Sequence, residues 1–253
     1  MSDFANPGRP LIEVLEWDSM FWGVRAARLN VETPTDLAAL DAERKRLQVD
    51  WEMFLVPIDQ QPLLNQAVRL GFDIVDIRHT MTRSVETWED ARGTVDFARP
   101  SESARLTDIV RGAFSKSRFY ADNHLDRTRC DDFYEAWVAN SFDGTMADYV
   151  VVHRTDSAID GFISVKLQPG GNATLSLVAV AIAGRGAGIG AHLVKATMSH
   201  LKRTGISSVT VATQLANIPA LSLYSRSGFR PAETSVWLHR WSNAFAEKES
   251  MTS

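Results

Sequence analysis

The chain has 253 residues, 45% of them hydrophobic and 23% charged, and carries a net charge of −4. That length suits one large domain or two modest ones, in a composition ordinary for a soluble globular protein. Acidic and basic residues are interspersed without a Lys/Arg stripe, so charge gives a nucleic-acid surface no support, and the single cysteine, Cys130, excludes an intramolecular disulfide or a multi-cysteine metal site.

Residues 11–31 read as two strands around a turn. Residues 33–48 read as a helix capped by Thr35 or Asp36, because Leu37, Leu40, Arg44 and Leu47 recur at helical spacing. A short buried strand is expected over 51–59, then a helix that ends at Gly71, then an alternating strand over 73–83. The polar stretch 84–94 predicts a linker, so the expected division is 1–86, 94–242 and a frayed tail over 243–253. After the linker come a strand at 94–100 and a helix at 101–119, led by Ser101 or Ser103 with Glu102 in its first turn. A helix over 130–142 places Phe133, Trp137 and Val138 on one side. A hairpin over 148–169 turns at 156–161, and the breaker Pro-Gly-Gly-Asn at 169–172 leads into the strand 173–182. A glycine-rich segment follows, then a helix over 191–205, a strand over 207–215, a helix over 218–229 and a last strand over 232–241. The N-terminus is polar and lacks the apolar core of a signal peptide, and no apolar run approaches the ~20 residues that span a bilayer. A cytoplasmic enzyme fits these limits. The six histidines are scattered without a His-x-x-x-His pair, so no metal is expected.

The informative segment is Val178-Ala-Val-Ala-Ile-Ala-Gly-Arg-Gly-Ala-Gly-Ile-Gly190. A strand entering a glycine-rich turn before a helix leaves backbone N–H groups converging on one small volume, where the helix dipole adds positive charge. Such a turn suits an anion, most naturally a pyrophosphate, with Arg185 beside it. Three readings and a bland one compete. Gly186, Gly188 and Ala191 satisfy the dinucleotide pattern G-x-G-x-x-A, but the next strand has no acidic residue for a ribose. A triphosphate loop needs Gly-Lys-Ser/Thr, which is absent. The third reading is the pyrophosphate site of coenzyme A, and the bland one is a turn that only packs a helix closely on a sheet.

Arg185-Gly-Ala-Gly-Ile-Gly190 resembles the R/Q-x-x-G-x-G/A signature of the GNAT superfamily of N-acetyltransferases. Asn217-Ile-Pro-Ala-Leu-Ser-Leu-Tyr-Ser-Arg-Ser-Gly-Phe229 is similar to that family's N-x-x-A-x-x-L-Y-x-x-x-G-F element, and the resemblance covers roughly 94–242. It implies an α/β fold with a mixed twisted sheet and helices on both faces. Leu15–Gly23, Ser117–Phe119 and Phe133–Asn140 resemble a closer branch, the dTDP-fucosamine acetyltransferases, which acetylate a 4-amino-sugar nucleotide. That branch implies a truncated GNAT-like module over 1–86. Residues 63–75 resemble a decayed copy of 217–232 without the glycine turn, so no cofactor is expected there.

The resemblance implies acetyl-CoA as co-substrate, held by Val178, Ala179, Val180, Arg185, Gly186, Ala187, Gly188, Ile189, Gly190, Asn217, Ala220 and Tyr224. The strand 178–180 would pair with the pantetheine arm, and an N–H of Val178 or Ala179 would stabilise the oxyanion. Tyr224 is expected to be the general acid, since a phenol is protonated at neutral pH. Arg118, Phe119 and Trp137 are expected to line the acceptor pocket, and Asp122, His124, Glu135 or a water relay could serve as base. The favoured acceptor is the amine of a nucleotide sugar; a protein N-terminus, a lysine or an antibiotic amine is the rival. A non-catalytic acyl-CoA-binding module is the reading from another class. Neither a nucleic-acid nor a membrane partner is expected, and a homodimer that exchanges the final strand stays open.

Overall fold

The computed structural model describes residues 9–88, 95–155 and 158–242. In chain order its elements are β1 (Ile12–Val14), α1 (Glu16–Trp22), β2 (Ala26–Leu29), α2 (Pro34–Ala38), α3 (Asp41–Leu47), β3 (Trp51–Pro57), α4 (Gln61–Arg69) and β4 (Asp73–Ser84). They continue as β5 (Asp96–Phe97), α5 (Ser103–Val110), α6 (Arg118–Ala121), α7 (Arg127–Ala139), β6 (Tyr149–Arg154), β7 (Ile159–Gln168) and β8 (Asn172–Val180). The last are α8 (Ile189–Arg203), β9 (Ser208–Gln214), α9 (Ile218–Arg226) and β10 (Arg230–Trp241). Contacts divide the chain into two units, Met1–Arg78 with Thr234–Ser253, and His79–Glu233.

In the first unit the strand order is β1-β2-β3-β10. Strands β2 and β3 run parallel, whereas β10 pairs antiparallel with β3 from Ser235↔Pro57 to Trp241↔Trp51. Alternation sends Phe54 and Val56 to one face, where Leu37, Leu63 and Ala67 from the helices bury them with Val236 and Leu238. On the other face Trp51 stacks on Trp241 at 5.2 Å and meets the edges of Trp22 and His239. Glu52 is buried, and its carboxylate accepts from Arg44 Nε at 2.7 Å and Arg240 Nε at 2.6 Å. That bond explains the helical-spacing signal at Arg44, which is a core position filled by a paired charge.

In the second unit the order is β4-β9-β8-β7-β6-β5. Strands β5 to β8 pair antiparallel with their neighbours, and β8 with β9 is parallel. Helix α8 buries Leu193, Val194, Met198 and Leu201 against Ile163, Val165, Leu175 and Val211. Helix α5 contacts β7 and β8. This is a mixed sheet with covering helices, as the fold class requires.

Several boundaries differ from the expectation. Between β1 and β2 the chain makes helix α1 instead of a turn: Trp17 and Phe21, one turn apart, stack at 5.4 Å, and Gly23 ends the helix at φ 71°. The single helix expected over 33–48 is two, because the chain breaks at Ala39–Leu40; Thr33, not Thr35 or Asp36, caps the first by accepting from the Asp36 N–H. Helix 101–119 is likewise two, α5 and α6, with Glu102 reaching back to the Arg99 N–H before the first. Among the described residues of the strand expected over 94–100, Asp96–Phe97 pair with β6 and the Ala98 N–H adds one bond to the Val150 carbonyl at 2.9 Å. The strand β10 counts largely with the first unit, because seven of its residues pair with β3, so the expected division at 86/94 does not coincide with the contacts. Within the expected linker, Val85 is buried and Trp88 donates its Nε1–H to Ser199 Oγ at 3.1 Å; residues 89–94 of that linker, the hairpin tip at 156–157 and the tail 243–253 lie outside the described residues.

Candidate functional site

At the end of β8 a short 3-10 turn over Ile182–Gly184 leads into the glycine segment, and α8 begins at Ile189. Gly186 and Gly188 take φ of 84° and 85°, a left-handed backbone that a side chain would strain, and a Cβ at either would meet nothing within 4 Å. The two residues therefore border open space. The first helical bond runs from His192 N–H to the Gly188 carbonyl at 3.0 Å. The amides of Gly186, Gly188, Ile189 and Gly190 have no acceptor among the described residues, the condition that makes a helix start an anion seat. Arg185, Gly186, Ala187 and Gly188 are exposed, and Arg185 folds back so that Nε donates to the Val180 carbonyl at 3.3 Å.

The strand that feeds this turn also departs from its neighbour. Strands β8 and β9 pair in parallel from Asn172↔Ser208 to Leu175↔Val211 and no further, although β8 runs on to Val180 and β9 to Gln214. The divergence begins where β8 carries an extra residue: Leu175 faces Val165 and Leu177 faces Ser164, which leaves Ser176 bulged. The bulge is held by fully buried Ser164, whose Oγ accepts the Leu177 N–H at 2.9 Å. Ala181 N–H likewise bonds toward β7, to the Asp160 carbonyl at 2.8 Å. Strand alternation then turns the Ala179 N–H toward β7 and those of Val178 and Val180 into the gap beside β9. Exposed Ile182 and Ile218 stand at the ends of the two diverging elements.

Helix α9 starts at that gap. Asn217 caps it, its Oδ1 accepting from the Ala220 N–H at 3.4 Å, which leaves the Nδ2 donors for another group. Tyr224 is 3% exposed, lies 5.8 Å from the Phe229 ring and belongs to the core cluster on which Val178, Val180 and Ala220 pack. Its phenol makes no hydrogen bond with a described residue, and burial raises its pKa far above that of a free tyrosine. The hydroxyl is therefore firmly protonated at neutral pH.

The segment before α6 reaches the same loop: Lys116 Nζ donates to the Ala216 carbonyl at 3.3 Å. Here the guanidinium of half-buried Arg118 lies 4.2 Å above the Phe119 ring. Phe119 itself is buried, 4.4 Å from Phe133, so it supports Arg118 from below. Trp137 is half-buried with its ring parallel to Tyr134, and its indole N–H has no acceptor among the described residues. Of the candidate bases, Glu135 is tied to Arg111 at 2.5 Å. Buried Asp122 instead holds His124, accepting the backbone N–H at 3.0 Å and lying 3.2 Å from Nδ1. Burial pushes the Cys130 thiol up to about 12, which removes it as a nucleophile. Sequence reasoning missed Ser164; a serine inside an apolar strand was its only trace.

Among the described residues no cluster of potential metal ligands occurs, and no helix is long and apolar enough to cross a membrane. The dTDP-fucosamine acetyltransferase of Escherichia coli O6:H1 is 29% identical over 239 residues, covering 92% of this chain and all of that protein. The spore coat polysaccharide biosynthesis protein SpsD of Bacillus subtilis strain 168 is 28% identical over 142 residues, 56% of this chain and 48% of its own. A GCN5-related N-acetyltransferase from Sphaerobacter thermophilus superposes with a TM-score of 0.59 at 14% identity, over 85% of this chain and 72% of its own, a likeness of fold. Residues 107–229 match the acetyltransferase (GNAT) family, so the chain is an acetyltransferase that carries a domain of that family.

Proposed function

We propose that the protein transfers an acetyl group from acetyl-CoA to the primary amine of a nucleotide-linked amino sugar, by direct attack of the amine on the thioester. The observation that carries this reading is the coincidence of the amides of Gly186, Gly188, Ile189 and Gly190, which have no acceptor among the described residues, with the open edge of β8 and the Tyr224 phenol. These residues fit coenzyme A: the turn and Arg185 would hold its diphosphate, and the edge of Val178–Val180 with Asn217 Nδ2 would bind its amide-bearing arm. Acetyl-CoA supplies the activated acyl group.

Val178 N–H, which points into the gap, donates to the oxyanion that forms as nitrogen adds to the carbonyl. It is the better of the two amides considered, because that of Ala179 turns toward β7. As the C–N bond forms and the C–S bond breaks, Tyr224 gives its proton to the departing thiolate. The amine attacks in its neutral form; His124, oriented by Asp122, takes the proton that nitrogen sheds after addition, and solvent exchange returns a proton to the Tyr224 phenolate and removes the one on His124. Arg118 and Trp137 line the acceptor side, with buried Phe119 beneath the guanidinium and not on the lining as the sequence suggested; a guanidinium and an indole N–H without an acceptor among the described residues suit the phosphates of a nucleotide sugar. The likeness to a dTDP-fucosamine acetyltransferase along nearly the whole chain favours that acceptor over a peptide or an antibiotic.

A thiol-release assay with acetyl-CoA and a panel of amines tests the reading, with products identified by mass. Turnover confined to nucleotide-linked amino sugars supports it. Turnover of peptide N-termini, lysine or antibiotic amines alone would replace the acceptor. Coenzyme A binding with no turnover on any amine would favour a non-catalytic acyl-CoA module.

A further inference from the structure

The first unit has its own pair of parallel strands that part company. Strands β2 and β3 pair from Ala26↔Trp51 to Leu29↔Phe54, four residues each, and β3 then runs on to Pro57 while β2 has ended. The same pattern, four parallel pairs followed by separation, opens the gap between β8 and β9 in the second unit. Just past the last pair in the first unit lies a cleft of about 140 Å³. Its apolar lining comes from both faces of the strands, Phe54 from one and Leu55 with Trp237 from the other, and Arg9, Arg28 and Arg78 surround it against one carboxylate, Glu32.

Two features separate this cleft from the glycine turn. The chain leaving β2 reads Val31-Glu32-Thr33-Pro34, with no glycine, and its helix start is already occupied: the Asp36 N–H goes to Thr33 Oγ1 at 3.2 Å. No set of converging amides can form there, so an anion would be read by guanidinium groups. Arg28 is half-buried, lines the cleft, and makes no hydrogen bond or ion pair with a described residue. A partly desolvated cation beside indole and phenyl walls is a poor structural element and a good receptor. The volume selects the rest of the ligand, since a space near 150 Å³ holds about one six-membered ring. A purine needs more.

We propose that this cleft is a second ligand site, which takes a phosphate ester carrying a single six-membered ring, with the ring against Trp237 and Leu55 and the phosphate on Arg28 and Arg78. A pyrimidine nucleoside monophosphate has this chemistry. The site is independent of the acyl-donor reading, because every residue in it belongs to the first unit.

The test is calorimetric titration of the full chain with thymidine 5′-monophosphate, and separately with thymidine, inorganic phosphate and adenosine 5′-monophosphate. The expected result is binding of the thymidine monophosphate, with each of the other three weaker by about tenfold or more. Arg28→Gln should weaken it by about tenfold, and Arg185→Gln, in the glycine turn, by less than about twofold. Arg9→Gln, at an exposed position where folding is not at stake, should weaken it by about threefold and serves if Arg28→Gln does not fold. The proposal is overturned if the thymidine monophosphate does not bind by about 10 mM. It is also overturned if phosphate or the adenosine nucleotide binds equally well, if both cleft variants bind like the parent, or if Arg185→Gln abolishes binding.

Discussion

Tyr224→Phe separates chemistry from architecture at a single atom. The ring is 3% exposed and packs on Phe229, and phenylalanine fills the same space, so no cavity forms. The hydroxyl makes no hydrogen bond with a described residue, so its removal breaks none. An ordinary buried tyrosine would lose about 1 kcal/mol with its hydrogen bond; here the change should be neutral or slightly stabilising, within about 1 kcal/mol, or a Tm shift of no more than about 4 °C. The catalytic effect is of another size. Loss of a general acid costs about 10²–10⁴ in rate, which is about 3–5 kcal/mol of barrier. Thermal melts and steady-state kinetics on one preparation give both numbers. A kcat reduced by about two decades or more, with Tm and the KM for acetyl-CoA near the parent values, supports the assignment. A fall in Tm of about 8 °C with kcat intact would refute it, since the hydroxyl would then be structural.

Three further outcomes follow from the same geometry. Gly188→Ala places a side chain at φ 85° with no clash, so backbone strain alone should cost about 1–2 kcal/mol; as the turn relaxes the amides disperse, and the KM for acetyl-CoA should rise about tenfold in steady-state assays. Glu52→Gln leaves Arg44 and Arg240 without their shared carboxylate and should lower stability by about 3 kcal/mol, read from the urea midpoint. Burial pushes Tyr149 up to about 12, and the phenols of Tyr120 and Tyr224 are also raised, by burial first. Below pH ~10 folded and unfolded chains both keep these protons; above it the unfolded chain releases them and the folded one does not, so stability falls with rising pH, by up to about 1.4 kcal/mol per pH unit for the fully buried Tyr224 phenol and by less for Tyr149 and Tyr120, which solvent screens. Urea midpoints that stay level between about pH 9 and about pH 11 would contradict that linkage.

The parts of the site legible in the sequence are those fixed by local backbone demands. Gly186 and Gly188 announce left-handed positions, and Asn217 followed by Pro219 announces a helix start, whatever the rest of the chain does. The parts that stayed hidden depend on pairing partners. The bulge at Ser176 exists because of the register of β7, and the direction of the Val178 N–H follows from bonds that Leu177 and Ala181 make across to that strand. Periodicity marked Arg44 as a core position but could not name Glu52 and Arg240 as the reason. The helix break at Ala39–Leu40 carries no Gly or Pro to betray it, and the cleft beyond Leu29 depends on where one strand stops while its neighbour continues.

The central claim is that the backbone amides of Gly186, Gly188, Ile189 and Gly190 receive the diphosphate of coenzyme A. Titration of ¹⁵N-labelled protein with coenzyme A, followed by amide resonances, addresses it directly. The account predicts that Gly186, Gly188, Ile189 and Gly190 show the largest shifts, moving downfield as each gains an acceptor. Saturable coenzyme A binding that leaves those four amides in place would contradict it.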